Sequence, residues 1–191
     1  KATLFNRTDF IERAKAVVPV FVDGDLPGAQ KLGARFKVRG YPTMLLFDKG
    51  GTELTRLPGE VDAAQYTQVL TLGMNAQRPV KAVLAQARAG GQGLEANDWR
   101  LLAYYSWETD QQQIVQPDEI PALLKQLAQA CPADQTETAT RLSLKALAAL
   151  EAVFAETMPA ELGYAYSSMS YQEKIAPAAA PAWGWSADQG R

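Results

Sequence analysis

The spacing of apolar residues changes near residue 77, and this limits the fold more than any other property of the chain. Before that point short apolar runs alternate with helical stretches, whereas after it only helical spacing recurs. Val17, Val18, Val20, Phe21 and Val22 form a run closed by Asp23, Gly24 and Asp25, the pattern of a strand covered on both faces. Pro19 lacks an amide proton, so it belongs at the start of that strand or on a side where no neighbour needs the proton. A short helix follows over 28–36, with Ala29, Leu32 and Phe36 on one face. Met44 to Phe47 is a second apolar run, Asp48 to Gly51 a tight turn, and Glu53 to Leu57 alternates as a third strand. The expectation is one sheet holding 18–23, 43–47 and 53–57, the last two as an antiparallel hairpin, covered by a helix over 62–72. Asp62 and Gln65 have capping-box spacing for that helix, and Ala63, Tyr66, Val69 and Leu70 form its stripe.

Four helices are expected after residue 78. Pro79 opens the first, which carries Val80, Val83, Leu84 and Ala87 and is ended by Gly90, Gly91 and Gly93. Asn97 or Asp98 caps the second, which carries Trp99, Leu101, Leu102 and Tyr105. The third spans 118–131, with Pro121 in its first turn and Pro132 closing it, and the fourth spans 136–157 with Leu142, Ala146, Leu150 and Val153 on one side. The fold class is therefore α/β over 1–77, an all-α domain over 78–158 and an irregular Ala/Pro-rich tail over 159–191. Trp183 and Trp185 in that tail are expected to pack back onto the chain or to meet a partner.

Composition narrows the chemistry. The 191 residues contain one cysteine and no histidine, which removes Ser-His-Asp, Cys-His and His-metal sites along with any internal disulfide. Nineteen basic against 21 acidic residues leave a net charge of −2, too small to draw nucleic acid or an anionic membrane. No stretch reaches the roughly 20 apolar residues of a membrane span, because Lys145 and Glu151 interrupt the Leu/Ala-rich region.

The stretch from Phe21 through Asp23-Gly24-Asp25, the 28–36 helix, Val38-Arg39-Gly40-Tyr41-Pro42-Thr43, Leu45-Leu46-Phe47 and Gly50-Gly51 resembles the C-terminal half of a thioredoxin-like domain, over about residues 1–72. The resemblance implies a thioredoxin-like sheet with flanking helices. It further implies that Pro42 is the family's cis-proline, whose loop supplies backbone hydrogen bonds to an extended polypeptide. Gly40 and Pro42 around Tyr41 independently bias the chain toward a constrained turn. Tyr41, Pro42 and Thr43 are accordingly the expected substrate-binding residues.

Thioredoxin-like oxidoreductases attack through a Cys-x-x-Cys pair at a helix N-terminus, and residues 1–72 contain no cysteine. By the family's order that pair would lie at or before Lys1, upstream of a helix over 8–16. The family strand that precedes the pair, and lies between those of 18–23 and 43–47, would lie there too or come from another source. The leading expectation is a thiol-disulfide oxidoreductase using an upstream pair, with a polypeptide thiol, disulfide or redox protein as partner and no cofactor. The alternative is a redox-inactive protein-binding or adaptor module. An exported, periplasmic setting suits scarce cysteine and the Ala/Pro-rich tail, with the cytoplasm as the alternative.

Other candidates have plain readings. Cys131 ends an apolar helix and is a structural cysteine, or else a regulatory thiol. Asn6-Arg7-Thr8 matches a glycosylation acceptor by a pattern too short to carry weight. Asp23, Asp25 and Asp48 lack calcium-loop spacing and are turn residues. Trp99, Tyr104, Tyr105 and Trp107 are helix-packing residues or the lining of a peptide groove between the two parts.

Overall fold

The computed structural model describes residues 6–58, 63–110 and 114–157. The tail over 159–191, with Trp183 and Trp185, lies outside the described residues, as does the Asp62 cap. In chain order the elements are α1 (Thr8–Ala14), α2 (Pro27–Arg35), β1 (Thr43–Phe47), β2 (Glu53–Pro58), α3 (Ala63–Met74), α4 (Val80–Arg88), α5 (Ala96–Tyr104), α6 (Ile120–Ala130) and α7 (Thr136–Thr157). Single 3-10 turns span Trp107–Thr109 and Pro117–Glu119. This is the expected fold class: an α/β part with a small sheet and flanking helices, then helices alone.

β1 and β2 form the expected antiparallel hairpin, with Met44 opposite Leu57, Leu45 opposite Arg56, and a bulge between Leu46 and Phe47. Asp48 makes the turn. Its Oδ1 accepts the amides of Gly50 and Thr52 at 2.8 and 2.9 Å, and Gly51 takes the left-handed conformation (φ 81°) that glycine adopts without steric cost. Strand alternation then divides the sheet's two sides. Leu57 turns toward α3, where a β-carbon at Gly73 would lie only 3.0 Å from Leu57 Cδ1 and 3.2 Å from Leu46 Cδ2. Arg56 turns the other way.

The expected strand over 18–23 is corrected. The sheet has two strands among the described residues, and 18–23 joins neither. Apolar composition alone cannot hold an extended segment in a sheet, since its amides and carbonyls need a neighbouring strand. Val18 and Val20 are accordingly 90% and 79% exposed.

The core lies among the helices. Leu72 of α3, Val80, Val83, Leu84 and Ala87 of α4, Trp99, Leu101 and Leu102 of α5, Leu123, Leu124 and Leu127 of α6, and Leu142 of α7 form one buried cluster. Each Leu or Val among them taken out of water contributes about 1.5–3 kcal/mol. The second helix starts earlier than expected, with Glu95 as its N-cap. Asp98 sits at the third helical position, where its carboxylate accepts the Glu95 amide at 3.1 Å and the Arg78 guanidinium at 3.0 Å. Trp99, Tyr105 and Trp107 are core residues: Trp107 Nε1 donates to the Leu102 carbonyl at 3.0 Å, and its ring meets Tyr105 edge-on at 4.9 Å. Tyr104 lies under the Arg141 guanidinium, 3.8 Å from its ring centroid. The aromatic set therefore packs helices.

Candidate functional site

Helix α2 ends in a Schellman motif: the Lys37 amide donates to the Ala34 carbonyl at 3.2 Å, and the Val38 amide to the Gly33 carbonyl at 2.9 Å. Lys37 occupies the left-handed position (φ 51°) that glycine usually fills. The turn sends the chain into Arg39 and Gly40. The Tyr41-Pro42 peptide bond is cis, as expected, and Thr43 Oγ1 donates to the Gly40 carbonyl at 2.6 Å, closing the loop against the start of β1. Tyr41 and Pro42 are exposed. The Tyr41 ring lies back across Gly24 and Gly33, reaching a place that β-carbons at those positions would crowd.

This loop forms one wall of a depression of about 380 Å³, lined by Arg39, Gly40, Tyr41, Pro42, Pro58, Ser106, Glu108 and Thr109. Thr43, the third expected site residue, stands behind the loop and does not line the depression. The facing wall is the turn after α5. The two walls are joined by backbone: the Arg39 amide donates to the Thr109 carbonyl at 3.1 Å, Val38 and Asp110 form an antiparallel bridge, and the Ser106 amide donates to the Arg56 carbonyl at 3.0 Å. The Glu108 carboxylate is oriented by two donors, Ser106 Oγ at 2.9 Å and Lys145 Nζ at 3.3 Å, and Lys145 also donates to the Tyr105 carbonyl at 3.1 Å. Burial holds the Lys145 amine below its ordinary pKa, partly offset by Glu108. The wall is thus propped by a side chain from α7.

Beneath the depression the Arg56 side chain is fully buried. It donates to both Glu53 oxygens (2.8 and 2.9 Å), to the carbonyls of Phe36 (2.9 Å) and Lys37 (3.0 Å), and more weakly to that of Thr109 (3.4 Å). Asp110 Oδ1 lies 3.8 Å away, and Asp110 Oδ2 accepts the Tyr105 hydroxyl at 3.0 Å. A buried cation needs partners of this number and kind.

Ser106, Glu108 and Thr109 carry no periodic or motif signal, Arg56 and Lys145 lie in periodic segments that mark a strand and a helix rather than a site, and none of the five stands out in the sequence as a site residue. Only the fold brings them to the loop. Asp23, Asp25 and Asp48 act as turn residues: Asp23 Oδ1 accepts the Asp25 amide at 3.1 Å, and Asp48 Oδ1 holds the hairpin turn. Among the described residues no group of three or more acidic or thiol side chains is placed to hold a metal ion.

The expectation of a thiol-disulfide oxidoreductase is corrected. Cys131 is the one cysteine of the chain, so these 191 residues contain no Cys-x-x-Cys pair and no thiol that could resolve a mixed disulfide. Cys131 itself follows α6, half-buried against the helical core, and burial, then the charge of Asp134, pushes its thiol above the ordinary pKa and away from the thiolate. A thiol or disulfide substrate and a redox partner protein fall with that expectation. No helix among the described residues is long and apolar enough to cross a membrane.

Residues 1–73 match the family described as thioredoxin-like domain. No curated protein and no solved structure matches the chain. The family match and the hairpin with its flanking helices agree: residues 1–73 are a thioredoxin-like domain, and the helices that follow are its C-terminal extension.

Proposed function

We propose that this chain is a redox-inactive, thioredoxin-like binding module that holds an extended polypeptide segment across the Tyr41-Pro42-Thr43 loop. The observation that carries the proposal is the depression in which exposed Tyr41 and Pro42 face Ser106, Glu108 and Thr109 of the helical extension, with no cysteine among residues 1–73. Neither the amide nor the carbonyl of Tyr41 enters a backbone hydrogen bond among the described residues, so both are open to an extended strand. Pro42 has no amide to offer, and Thr43 supports the loop from behind. The compartment we propose is the periplasm, with the cytoplasm as the alternative, and cell fractionation decides between them.

The test is selection from a cysteine-free peptide library on the full chain, followed by titration of one selected peptide. Cys131→Ser should leave the affinity unchanged and Tyr41→Ala should weaken it about tenfold or more. The chain should not reduce insulin disulfides. An empty selection, or binding that Cys131→Ser abolishes, would sink the proposal.

A further inference from the structure

We infer that Arg56 is the positioning residue of the groove, and that ligand binding and docking of the helical extension onto the sheet are coupled through it. The inference rests on the groove being a binding site. Arg56 lines no part of the depression, yet its contacts lie directly behind both walls. On one side it holds the carbonyls of Phe36 and Lys37, immediately before Arg39 to Pro42. On the other it reaches the Thr109 carbonyl and the Asp110 carboxylate, while its own carbonyl takes the Ser106 amide. Glu53 fixes the guanidinium in the plane that serves both sides.

A buried ion pair is weak evidence for stability, since desolvation offsets much of the attraction. Its best-attested use is to fix which surfaces register with which. Here the surfaces are the turn after α2 and the turn after α5. If the extension undocks, Ser106 to Thr109 leave the groove and the buried guanidinium loses Thr109 and Asp110 in the same step. Those two turns therefore open as one unit. A ligand that touches both walls binds only the docked form, so occupancy must strengthen docking, and a change that lowers the docked fraction must lower the apparent affinity in proportion to that fraction.

The test is amide hydrogen exchange on the full chain. In the free protein the Arg39 and Ser106 amides, whose acceptors lie on opposite sides of the junction, should exchange with equal opening equilibria. Arg56→Lys keeps the charge and loses the planar fork. It should speed both amides together by about tenfold or more while leaving the amide of Leu127, in the middle of α6, unchanged. A bound cysteine-free peptide should slow both by one common factor. If Arg56→Lys fails to fold, Asp110→Asn, which keeps an oxygen for the Tyr105 hydroxyl, serves in its place and should act in the same direction. Independent exchange of the two amides, equal acceleration of Leu127, or slowing by peptide at only one of the two would overturn the inference. Failure of every peptide to bind would sink the binding reading instead, and the variant's exchange pattern would then decide the coupling of the walls alone.

Discussion

The phenolic oxygen of Tyr41 lies 2.6 Å from where a β-carbon on Gly33 would stand. The side chain presented at the groove is thus seated on α2, the helix that ends six residues before it. A methyl group at residue 33 would evict the ring.

Gly33→Ala separates binding from stability. The obstructed atom is the far end of a side chain that is 60% exposed, so it can swing into solvent at small cost. Alanine meanwhile favours the helix by up to about 1 kcal/mol over glycine. Chemical denaturation should show stability unchanged or raised by up to about 1 kcal/mol. Affinity for a selected peptide should nevertheless fall. A variant that loses several kcal/mol would mean that the ring is held rigidly, and one that binds as the parent would mean that its seat is irrelevant.

Lys37→Gly is expected to stabilise the chain by about 1 kcal/mol, because a side chain in the left-handed conformation costs roughly 1–2 kcal/mol and glycine's extra backbone entropy cancels only part of the gain. The Schellman hydrogen bonds and the carbonyl offered to Arg56 are backbone groups and survive the change. A rise in the thermal midpoint checks it. A fall would show that the lysine side chain contributes more than its backbone strain.

Much of this architecture is legible in the sequence. The hairpin follows from Met44 to Phe47, the Asp48 to Gly51 turn and the alternation after it, and α4 and α7 follow from their apolar spacing and from Pro79 and the glycines after residue 89. The strand over 18–23 misled because a run of valines records burial potential, whereas a strand needs a neighbour for its backbone. The groove is half legible. Gly40, Tyr41 and Pro42 stand together in a motif, but Ser106, Glu108 and Thr109 lie more than sixty residues later in a segment without periodicity, and a hydrogen bond such as that from the Arg39 amide to the Thr109 carbonyl has no one-dimensional signature.

Alkaline pH should expose the buried Tyr105–Asp110 pair. Burial first, and then the Asp110 charge, pushes the Tyr105 hydroxyl well above its ordinary value of 10.0. Above pH 10 the unfolded chain therefore releases a proton that the folded chain keeps. Stability present below that pH is lost as pH rises, by about 1.4 kcal/mol per pH unit for this group. Tyr66, also raised by burial, adds to the slope, while Lys145, whose pKa is lowered, acts in the opposite direction up to its ordinary 10.5. Tyr105→Phe shares both of those groups with the parent. It should cost about 1–2 kcal/mol at neutral pH through the lost hydrogen bond and then show a shallower alkaline decline in urea denaturation. Parallel declines would place the alkaline sensitivity elsewhere.

The central claim is that one ligand touches a loop of the thioredoxin-like domain and a turn of the helical extension at once, with no thiol involved. Amide chemical shifts of the Cys131→Ser chain, recorded as a selected cysteine-free peptide is added, test this most directly. Gly40 and Tyr41 should shift together with Ser106, Glu108 and Thr109, along one common saturation curve. Shifts confined to one wall, or a peptide that binds only while Cys131 is present, would contradict it.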